Sequence, residues 1–470
     1  MQATLSTQEQ NKRLIAFRQT LYEQGFTQRR DAQFELLDAL LLYGPVRSFA
    51  ELSLSPTFHR KWPSVYAAVE DGGQDEEAIR KLLASLLPAE GIVVFPLDAT
   101  FWRRPCSPTL PDRQYGHVSS EAGDAIQIGS PYSILAWAAE AGTCWTLPLD
   151  VERIGSETNA VSVGVSQVKR LLALLPESVV PVFVGDGGYG NHRFLHPLKD
   201  ERCGALTRLR KDRTLYRKSP GYSGRGRPRK HGERFVFKDP ATWGDPEEVL
   251  TVEDAKWGTV EIRYWRELHA KAAADTSFDV LRVQTHTERE KRPEPLWLAW
   301  KEPTVKGRTG DPSDRTGNPS DRTGNPSDRT GETLWRTYPL RWGIEPSIRW
   351  RKQDLAWTLP HVRTQDAGDR WTTLVTLAQW ELFLARSLVT DAPLPWQKPR
   401  SLPTPSRVQR RLGSLFVEIG SPTRMPQTRG KSPGWQKGMQ RQRPERYRVV
   451  KKTTKKPPKR SNSPPVASVN

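Results

Sequence analysis

The sequence predicts an α/β protein built on a mixed sheet flanked by helices, and two observations carry this prediction. Between residues 89 and 211, short apolar runs of strand character alternate with segments of helical periodicity. Two of the runs, GIVVFPLDAT and VVPVFVGDGGYG, lead into an aspartate, Asp98 and Asp186. Because ligands bind beyond the carboxyl ends of strands in such sheets, these acids are the first candidates for a functional site.

The elements of this region follow in the order of three strands, a helix, a strand, a helix and a strand. After the strand that holds Asp98, the tract YSILAWAAEAGTCWTLPLDVERI predicts two strands joined by a tight turn. VSQVKRLLALLPES has helical periodicity, and NHRFLHPLKD predicts a helix with Asn191 near its start. The tract CGALTRLR is the fifth strand.

Residues 212–333 differ in character and predict a β-rich insertion, with strand-like pieces ERFVFK, TVEIRYWREL, FDVLRVQTH and PLWLAWK. The insertion closes with the tandem repeat GRTGDPSDRTGNPSDRTGNPSDRTGE, whose seven-residue period has no apolar face. We therefore expect a flexible linker there. The sheet region then resumes over residues 334–392.

Residues 1–88 predict a helical N-terminal domain, because apolar residues recur at spacings of three and four. The domain is either a DNA-binding unit or a packing cap, and the sequence does not separate the two.

Composition restricts the class of protein. Apolar residues make up 36% of 470 residues, and the three cysteines lie far apart without a CxxC pair, which argues against a disulfide framework or a cysteine-rich zinc site. The first residues are polar and lack the apolar core of a signal peptide. The longest apolar tract carries Glu381 and Arg386, which indicates a buried helix and not a membrane span. We expect a soluble, cytoplasmic protein.

The net charge of +19 is concentrated near the carboxyl end, where residues 401–470 hold 17 Lys and Arg against two acids. Residues 393–470 predict a basic, disordered tail that binds nucleic acid by neutralising phosphates. A merely solubilising tail is the alternative.

The stretch YPLRWGIEPSIRWRKQ places one acid among bases and aromatic rings. At 100° per residue, Tyr338, Arg341, Glu345 and Lys352 would share one narrow face of a helix. A carboxylate on that face could join Asp98 and Asp186 in holding a hard cation such as Mg²⁺.

Two residues work against a helix through the whole stretch. Gly343 weakens a helix, and Pro346 disfavours helical conformation at the preceding residue. The helix is therefore expected to begin near Glu345 with Pro346 in its first turn. In that case only Glu345, Arg349 and Lys352 share the face.

The spacing Tyr-(2)-Arg-(3)-Glu-(6)-Lys resembles the signature of bacterial insertion-sequence transposases of the DDE class, similar to insertion-sequence family four. FPLDAT and VGDGGYGN resemble the first and second aspartate motifs of that class, and the order of strands and the long β insertion before the glutamate are also similar. The resemblance covers roughly residues 90–390.

This resemblance implies a ribonuclease H-like core and a Mg²⁺-dependent DNA transposase, with two metal ions, for which Mn²⁺ could substitute. The ions would be held by Asp98, Asp186 and Glu345. The residues expected to bind DNA here are Tyr338, Arg341, Arg349 and Lys352. The implied partners are the terminal inverted repeats of the element, target DNA and a second copy of the chain, at the bacterial nucleoid.

Simpler interpretations stay open at this stage. LPLDVE ends in Asp150 much as FPLDAT ends in Asp98. Asp186 could be an ordinary turn acid, and Glu345 an ordinary surface ion pair. An inactive DNA-binding relic and a metal-dependent nuclease of the same fold are the rival functions.

A second basic motif, GRGRPRKHG at residues 224–232, resembles an AT-hook, in which extended arginines enter a narrow minor groove. Arg225 and Arg227 would be those arginines. A basic hairpin loop is the alternative.

Overall fold

The computed structural model describes residues 6–42, 46, 48–120, 123–140, 143–222, 224, 226–286, 294–304, 330–400, 402–427, 434, 438–440 and 443–452. Within these ranges the chain forms a mixed sheet of twelve strands flanked by helices, with a separate two-stranded ladder near the N-terminus. The predicted fold class is confirmed. None of the described helices combines the length and the apolar character that a membrane span requires.

Helices dominate the N-terminal region, as the periodicity predicts. They are α1 (Thr7–Thr20), α2 (Arg30–Leu42), α3 (Pro63–Glu70) and α4 (Glu76–Ala84), and the short ladder pairs β1 (Phe26–Gln28) with β2 (Gly73–Gln74). Ser6 caps α1 and Asp75 caps α4, because each side chain accepts a hydrogen bond from the first turn of its helix.

The central region contains the predicted elements in the predicted order. They are β3 (Gly91–Arg103), β4 (Gln114–Ser120), β5 (Gly123–Ala138), β6 (Thr146–Arg153), α5 (Ala160–Leu172), β7 (Val179–Gly185), α6 (His192–Leu195) and β8 (Gly204–Leu209). Across the sheet the strands run β6, β5, β3, β7, β8, with β3, β7 and β8 parallel and the other pairs antiparallel. This arrangement is consistent with a ribonuclease H-like fold. The strand β4, which pairs with β5, was not predicted.

The insertion continues the same sheet. Its strands are β9 (Thr214–Tyr216), β10 (Arg234–Val236), β11 (Glu248–Asp254), β12 (Gly258–Ala270), β13 (Ala273–His286) and β14 (Leu296–Lys301). Strand β14 pairs antiparallel with β8, so the insertion extends the core sheet edge to edge. Most of the tandem repeat falls in residues 305–329, outside the described residues. Its last three residues, 330–332, begin the next helix, which Thr330 caps.

Helices return after the insertion. They are α7 (Gly331–Thr337), a 3-10 turn over Tyr338–Gly343, α8 (Ile344–Gln353), α9 (Gln365–Ala385), α10 (Pro405–Gln409) and α11 (Leu412–Ile419). Helix α9 is buried along most of its length, as its apolar sequence predicts. Val408 and Leu412 are fully buried, so α10 and α11 belong to the packed core. The predicted disorder from residue 393 onward is therefore wrong for residues 405–419, because the apolar side chains of α10 and α11 have a surface to pack on.

The two faces of the sheet pack against different partners. Phe183 of β7 points toward the cluster that contains α9 and the N-terminal helices. Its neighbours Val182 and Val184 point the other way, where they pack in one cluster with Trp335 and Tyr338. This alternation is the period of two that a strand buried on both faces shows.

A buried ionic contact ties the N-terminal helices to the core. Arg18 of α1 lies 2.8 Å from Asp38 of α2 and 2.6 Å from Glu381 of α9. All three side chains are almost completely buried. The pKa of Glu381 is raised to about 7, because burial, with a smaller contribution from Asp38, outweighs the lowering effect of Arg18. The Arg18 guanidinium therefore forms ion pairs with two buried carboxylates, those of Asp38 and Glu381.

Candidate active site

The pairing of β3 and β7 determines where the first two acids lie. These strands run parallel with Leu97 opposite Gly185, so Asp98 and Asp186 are the next residues of two neighbouring strands. The prediction that the first strand ends at Asp98 is wrong, because β3 continues to Arg103 by pairing with β5. Asp98 is instead the point at which β3 loses β7 as its neighbour.

A tight turn fixes Asp186. Its Oδ1 accepts a hydrogen bond from the backbone N–H of Gly188 at 2.8 Å, and its carbonyl accepts from Tyr189 and Gly190. A Cβ on Gly185 would lie 2.8 Å from the Cβ of Tyr189, so the turn needs glycine before the acid. The side chain of Asp186 is thus held by its own loop.

The third acid enters on α8, which begins at Ile344. Pro346 stands in the first turn, as predicted for a helix that begins near Glu345. Gly343 also has a physical explanation, since a Cβ there would lie 2.3 Å from Thr146 Oγ1. The glycine lets the 3-10 turn approach the start of β6 closely, so its low helix propensity is outweighed by packing.

Helix α8 is anchored from its buried side. Ser347 Oγ donates to the carbonyl of Thr146 at 2.8 Å, and Gln379 Nε2 of α9 donates to the same carbonyl at 3.0 Å. Arg351, 1% exposed, donates to Thr376 Oγ1 at 3.1 Å and stacks on the Trp357 ring. These contacts leave Glu345, Arg349 and Lys352 on the outer side of the helix.

Arg341 links the acids of the sheet and the helix. Its Nη1 lies 3.7 Å from Asp98 Oδ2, and its Nη2 donates to Glu345 Oε1 at 2.9 Å. Burial raises the pKa of Asp98 to about 6; the Ala99 N–H and Arg341 lower it, while Asp186 and Glu345 raise it. Asp186 and Glu345 therefore both act on Asp98 electrostatically, and Arg341 contacts both Asp98 and Glu345.

In the described part of the chain, no three His, Cys, Asp or Glu side chains converge closely enough to hold a metal ion together. Arg341 occupies the position between Asp98 and Glu345 that a cation would need. The donors themselves are carboxylate oxygens, which are the ligands that Mg²⁺ prefers. The chemistry of the donor set fits a hard divalent ion once the arginine contact is released.

The other residues of the signature have distinct surroundings. Tyr338 is 2% exposed, and burial raises the pKa of its hydroxyl. Lys352 Nζ donates to Thr100 Oγ1 at 2.7 Å and to the Phe101 carbonyl at 3.1 Å, so this lysine contacts β3 just beyond Asp98. Burial lowers the pKa of Lys352 to about 8. Arg349 is exposed on the same side of α8.

The rival acid Asp150 has a different environment. It lies on β6, where its Oδ2 accepts from Arg170 Nη2 at 2.8 Å. Arg80 of α4 lies 3.8 Å from the same oxygen. These contacts are those of a structural ion pair that joins β6 to two helices. The partners of Asp150 therefore distinguish the LPLDVE motif from the FPLDAT motif that holds Asp98.

Two protein-family models match this chain. The family model of the DDE superfamily endonucleases matches residues 21–270, more than half of the chain, and that of the transposase DDE domain matches residues 164–380. The chain belongs to the DDE class of transposases and endonucleases. No curated protein matches it significantly. Together the two matches span α2 to α4 of the N-terminal region, the core strands, the insertion and most of α9, whereas α1 precedes them.

Sequence reasoning missed one basic residue of this DDE protein. Gly185 pairs with Thr207 in the parallel β7–β8 ladder, so Arg208 is the residue of β8 next to Asp186. Arg208 is exposed, and its charge lowers the pKa of Tyr338 against the effect of burial. The signal was present, because CGALTRLR is the strand after the one that leads to Asp186, but its register requires the sheet.

The AT-hook motif lies elsewhere in the DDE protein. Arg225 falls outside the described residues. Arg227 is exposed in the loop between β9 and β10 of the insertion, where Tyr222 donates to the carbonyl of Gly226 at 3.1 Å. This loop is separate from the edge of the sheet where the acids lie.

Proposed function

We propose that this DDE protein is a DNA transposase that cleaves the ends of its mobile element and joins them to target DNA. The family matches support action on DNA as a nuclease or transposase. The observation that carries the finer proposal is that Arg341 contacts both Asp98 and Glu345, while Asp186 acts on the pKa of Asp98. The effects of Asp186, Glu345 and Arg341 thus converge on Asp98, which links β3 to the β7 loop and to α8.

DDE transposase domains generally use divalent metal ions, and we propose Mg²⁺, with Mn²⁺ as a substitute. Asp98, Asp186 and Glu345 would hold them. When bound, two such ions supply the charge that favours in-line attack on a phosphodiester and departure of the leaving oxygen. Asp98 must be ionised for this role, which its raised pKa of about 6 permits at neutral pH.

The basic residues have complementary roles in this proposal. Arg341 balances Asp98 and Glu345 when no metal is bound, and it turns to a DNA phosphate when the carboxylates are released. Lys352 is held by Thr100 and Phe101, so its ammonium stays beside β3 as a second phosphate contact. Contacts of this kind set the register of the DNA backbone without reading its sequence. Arg349, which is exposed, is a further proposed DNA contact, whereas Tyr338, which is 2% exposed, would contact DNA only after its surroundings rearrange.

The proposed partners are double-stranded DNA, as terminal inverted repeats and as target, and a second copy of the chain on paired ends. Among the sequence features, the arginines of the 224–232 motif are proposed as an additional DNA contact. Residues 1–88 are proposed as a helical domain, and nucleoid association is proposed from the activity.

The test is cleavage of the element's end DNA by purified protein with and without Mg²⁺. Asp98→Asn is expected to abolish metal-dependent cleavage while the protein stays folded by circular dichroism. Asp150→Asn is the matched control, because it changes an aspartate in a similar motif that serves an ion pair, and it should still cleave.

Three outcomes have different meanings for the proposal. Undiminished cleavage by Asp98→Asn would overturn the assignment of the acids. Binding without cleavage under either metal condition would favour an inactive DNA-binding relic. Nicked products without joined ends, in a reaction that includes target DNA, would favour a nuclease.

A further inference from the structure

A groove lies next to the candidate active site and encloses about 830 Å³. One wall is β3 from Ala99 to Arg103, directly after Asp98. The groove is also lined by residues 114–117 of β4, residues 159–160 at the start of α5, and Lys452. The groove is therefore continuous with the position of the acids along a single strand.

The charge of the groove has one sign. Arg103, Lys352 and Lys452 line it, and none of the described residues that line it is an aspartate or glutamate. Lys352 is directed into this region by its hydrogen bonds to β3. A concave surface with three cations and no acid favours a polyanion over a neutral or cationic ligand.

The C-terminal strap, defined here as residues 443–452, completes the groove. The Tyr447 N–H donates to the Pro108 carbonyl at 2.8 Å, and the Val450 N–H donates to the Arg113 carbonyl at 2.7 Å. Arg113, 4% exposed, donates back to the Tyr447 carbonyl at 3.1 Å. Backbone hydrogen bonds from Tyr447 and Val450 thus fix the strap to the core, and the Arg113 side chain adds a third hydrogen bond.

The end of the strap is fixed at the groove itself. Lys452 Nζ donates to the carbonyl of Thr158 at 2.8 Å, one residue before Asn159. Asn159 caps α5 by accepting from the Ser162 N–H at 3.0 Å. The lysine therefore lies beside the positive end of a helix dipole, which adds to the attraction of this wall for anions.

We propose that this groove holds the sugar-phosphate backbone of the element-end DNA strand that continues from the candidate active site, with Arg103 and Lys452 as phosphate contacts. The C-terminal strap is then part of the DNA-binding surface and not only a basic extension. The identity of the DNA rests on the proposed function, whereas the presence of a polyanion site rests on the groove.

The groove begins at Ala99, one residue after Asp98, so a strand whose phosphate lies at the acids would extend directly into it. From Asp98 to Arg103 the strand advances five residues, or about 17 Å at ~3.4 Å per residue. DNA advances ~3.4 Å per nucleotide along each strand. Because this value is the rise along the helix axis, and successive phosphates along the backbone are farther apart, the groove accommodates at most about five nucleotides beyond a phosphate placed at Asp98.

The first experiment measures the salt dependence of binding to element-end DNA without divalent metal, where no cleavage occurs. Arg103→Gln combined with Lys452→Gln is expected to lower the slope of log affinity against log salt by about 2, since each phosphate contact contributes ~0.9. Lys238→Gln combined with Lys271→Gln is the matched control. Both lysines are exposed in the insertion, and the same loss of charge there should leave the slope nearly unchanged.

The second experiment locates the DNA. Tyr115 lines the groove and is 46% exposed, so p-benzoylphenylalanine at this position should crosslink to nucleotides within about five of the cleavage position. The same residue at Trp396, which is 77% exposed and does not line the groove, should not crosslink there. Crosslinks only to target DNA, or an unchanged salt slope in the double variant, would overturn the proposal.

These readouts separate the groove from the catalytic proposal. Suppose that Asp98→Asn loses cleavage, that Arg103→Gln with Lys452→Gln keeps the salt slope of its control, and that position 115 gives no more crosslinking than position 396. The catalytic assignment then stands and the groove assignment falls. If the groove crosslinks end DNA but no condition gives cleavage, the binding surface stands and the transposase proposal falls.

Discussion

Arg341 is the residue with the most direct bearing on the candidate site. It contacts Asp98 and Glu345 at the same time, and it is itself largely buried. A cation in this position reduces the repulsion between Asp98, whose side chain is mostly buried, and Glu345, whose side chain is 56% exposed. The sequence places Arg341 four residues before Glu345, but only the fold brings Asp98 to the same guanidinium.

The metal assignment predicts ligand-dependent stability. Mn²⁺ at about 100 times its dissociation constant should stabilise the protein by ~2.7 kcal/mol, which raises the melting temperature by a few degrees. Asp98→Asn and Glu345→Gln should each remove most of this rise, because each deletes a charged ligand. Thermal unfolding followed by fluorescence measures the effect.

Asp150→Asn serves as the control for this experiment and should keep the full rise with Mn²⁺. An equal rise in all four proteins would show that the metal binds elsewhere and would contradict the assignment of the acids.

At the scale of elements, α8 illustrates how packing overrides propensity. Gly343 and Pro346 are both unfavourable in a continuous helix, and the chain resolves this with a 3-10 turn followed by an α-helix that begins at Ile344. The prediction that the helix begins near Glu345 follows from the backbone preferences of Gly343 and Pro346 alone. The close approach of Gly343 to Thr146 does not, because it depends on β6, some 200 residues earlier.

The contact between α1, α2 and α9 predicts a specific dependence of stability on pH. The folded protein holds Glu381 with a pKa of about 7, above its ordinary value near 4.5. The folded state therefore binds more protons than the unfolded state in this window, and the free energy of unfolding should fall as pH rises from about 4.5 to about 7. Glu381→Gln should flatten this dependence, as measured by urea unfolding at several pH values.

Arg18→Met should lower the free energy of unfolding. Two buried carboxylates would lose their shared guanidinium, which costs about 3–5 kcal/mol when one partner of a buried pair is removed. Lys12→Met, an exposed change on the same helix, is the control and should change the free energy of unfolding by less than ~0.5 kcal/mol.

For Glu381→Gln, a dependence of the free energy of unfolding on pH equal to that of the unaltered protein would contradict the assignment.

At the scale of the whole molecule, charge is divided between a nearly balanced core and a basic carboxyl end. The prediction of a disordered tail was made from this composition, and it is wrong where α10 and α11 pack. Composition averages over the segment, whereas burial depends on the few residues Leu412, Leu415 and Phe416 that form an apolar face.

Residues 453–470 carry four Lys and Arg and no acid, and they predict a contribution to DNA affinity. Truncation after Lys452 should lower the salt slope of binding by up to about 4, at ~0.9 per phosphate contact. The loss should be equal on element-end DNA and on unrelated DNA, because such contacts carry no sequence information. Gel-shift titrations at several salt concentrations measure it.

A full-length variant in which only those four residues are changed to Gln is the control for chain length and should behave as the truncation does. An unchanged slope in both proteins would favour the solubilising alternative.

The sequence alone determined the order of the core elements apart from β4, the strands of the insertion, the buried helix α9 and the resemblance to the DDE class, because these depend on periodicity and on short spacings along the chain. The tertiary structure decided which acids share an environment. It separated Asp98 from Asp150 by their partners, paired Arg208 beside Asp186, and brought Lys452 to a groove that begins at Ala99. These relations join residues far apart in sequence, and strand register and packing fix them, neither of which local propensity contains.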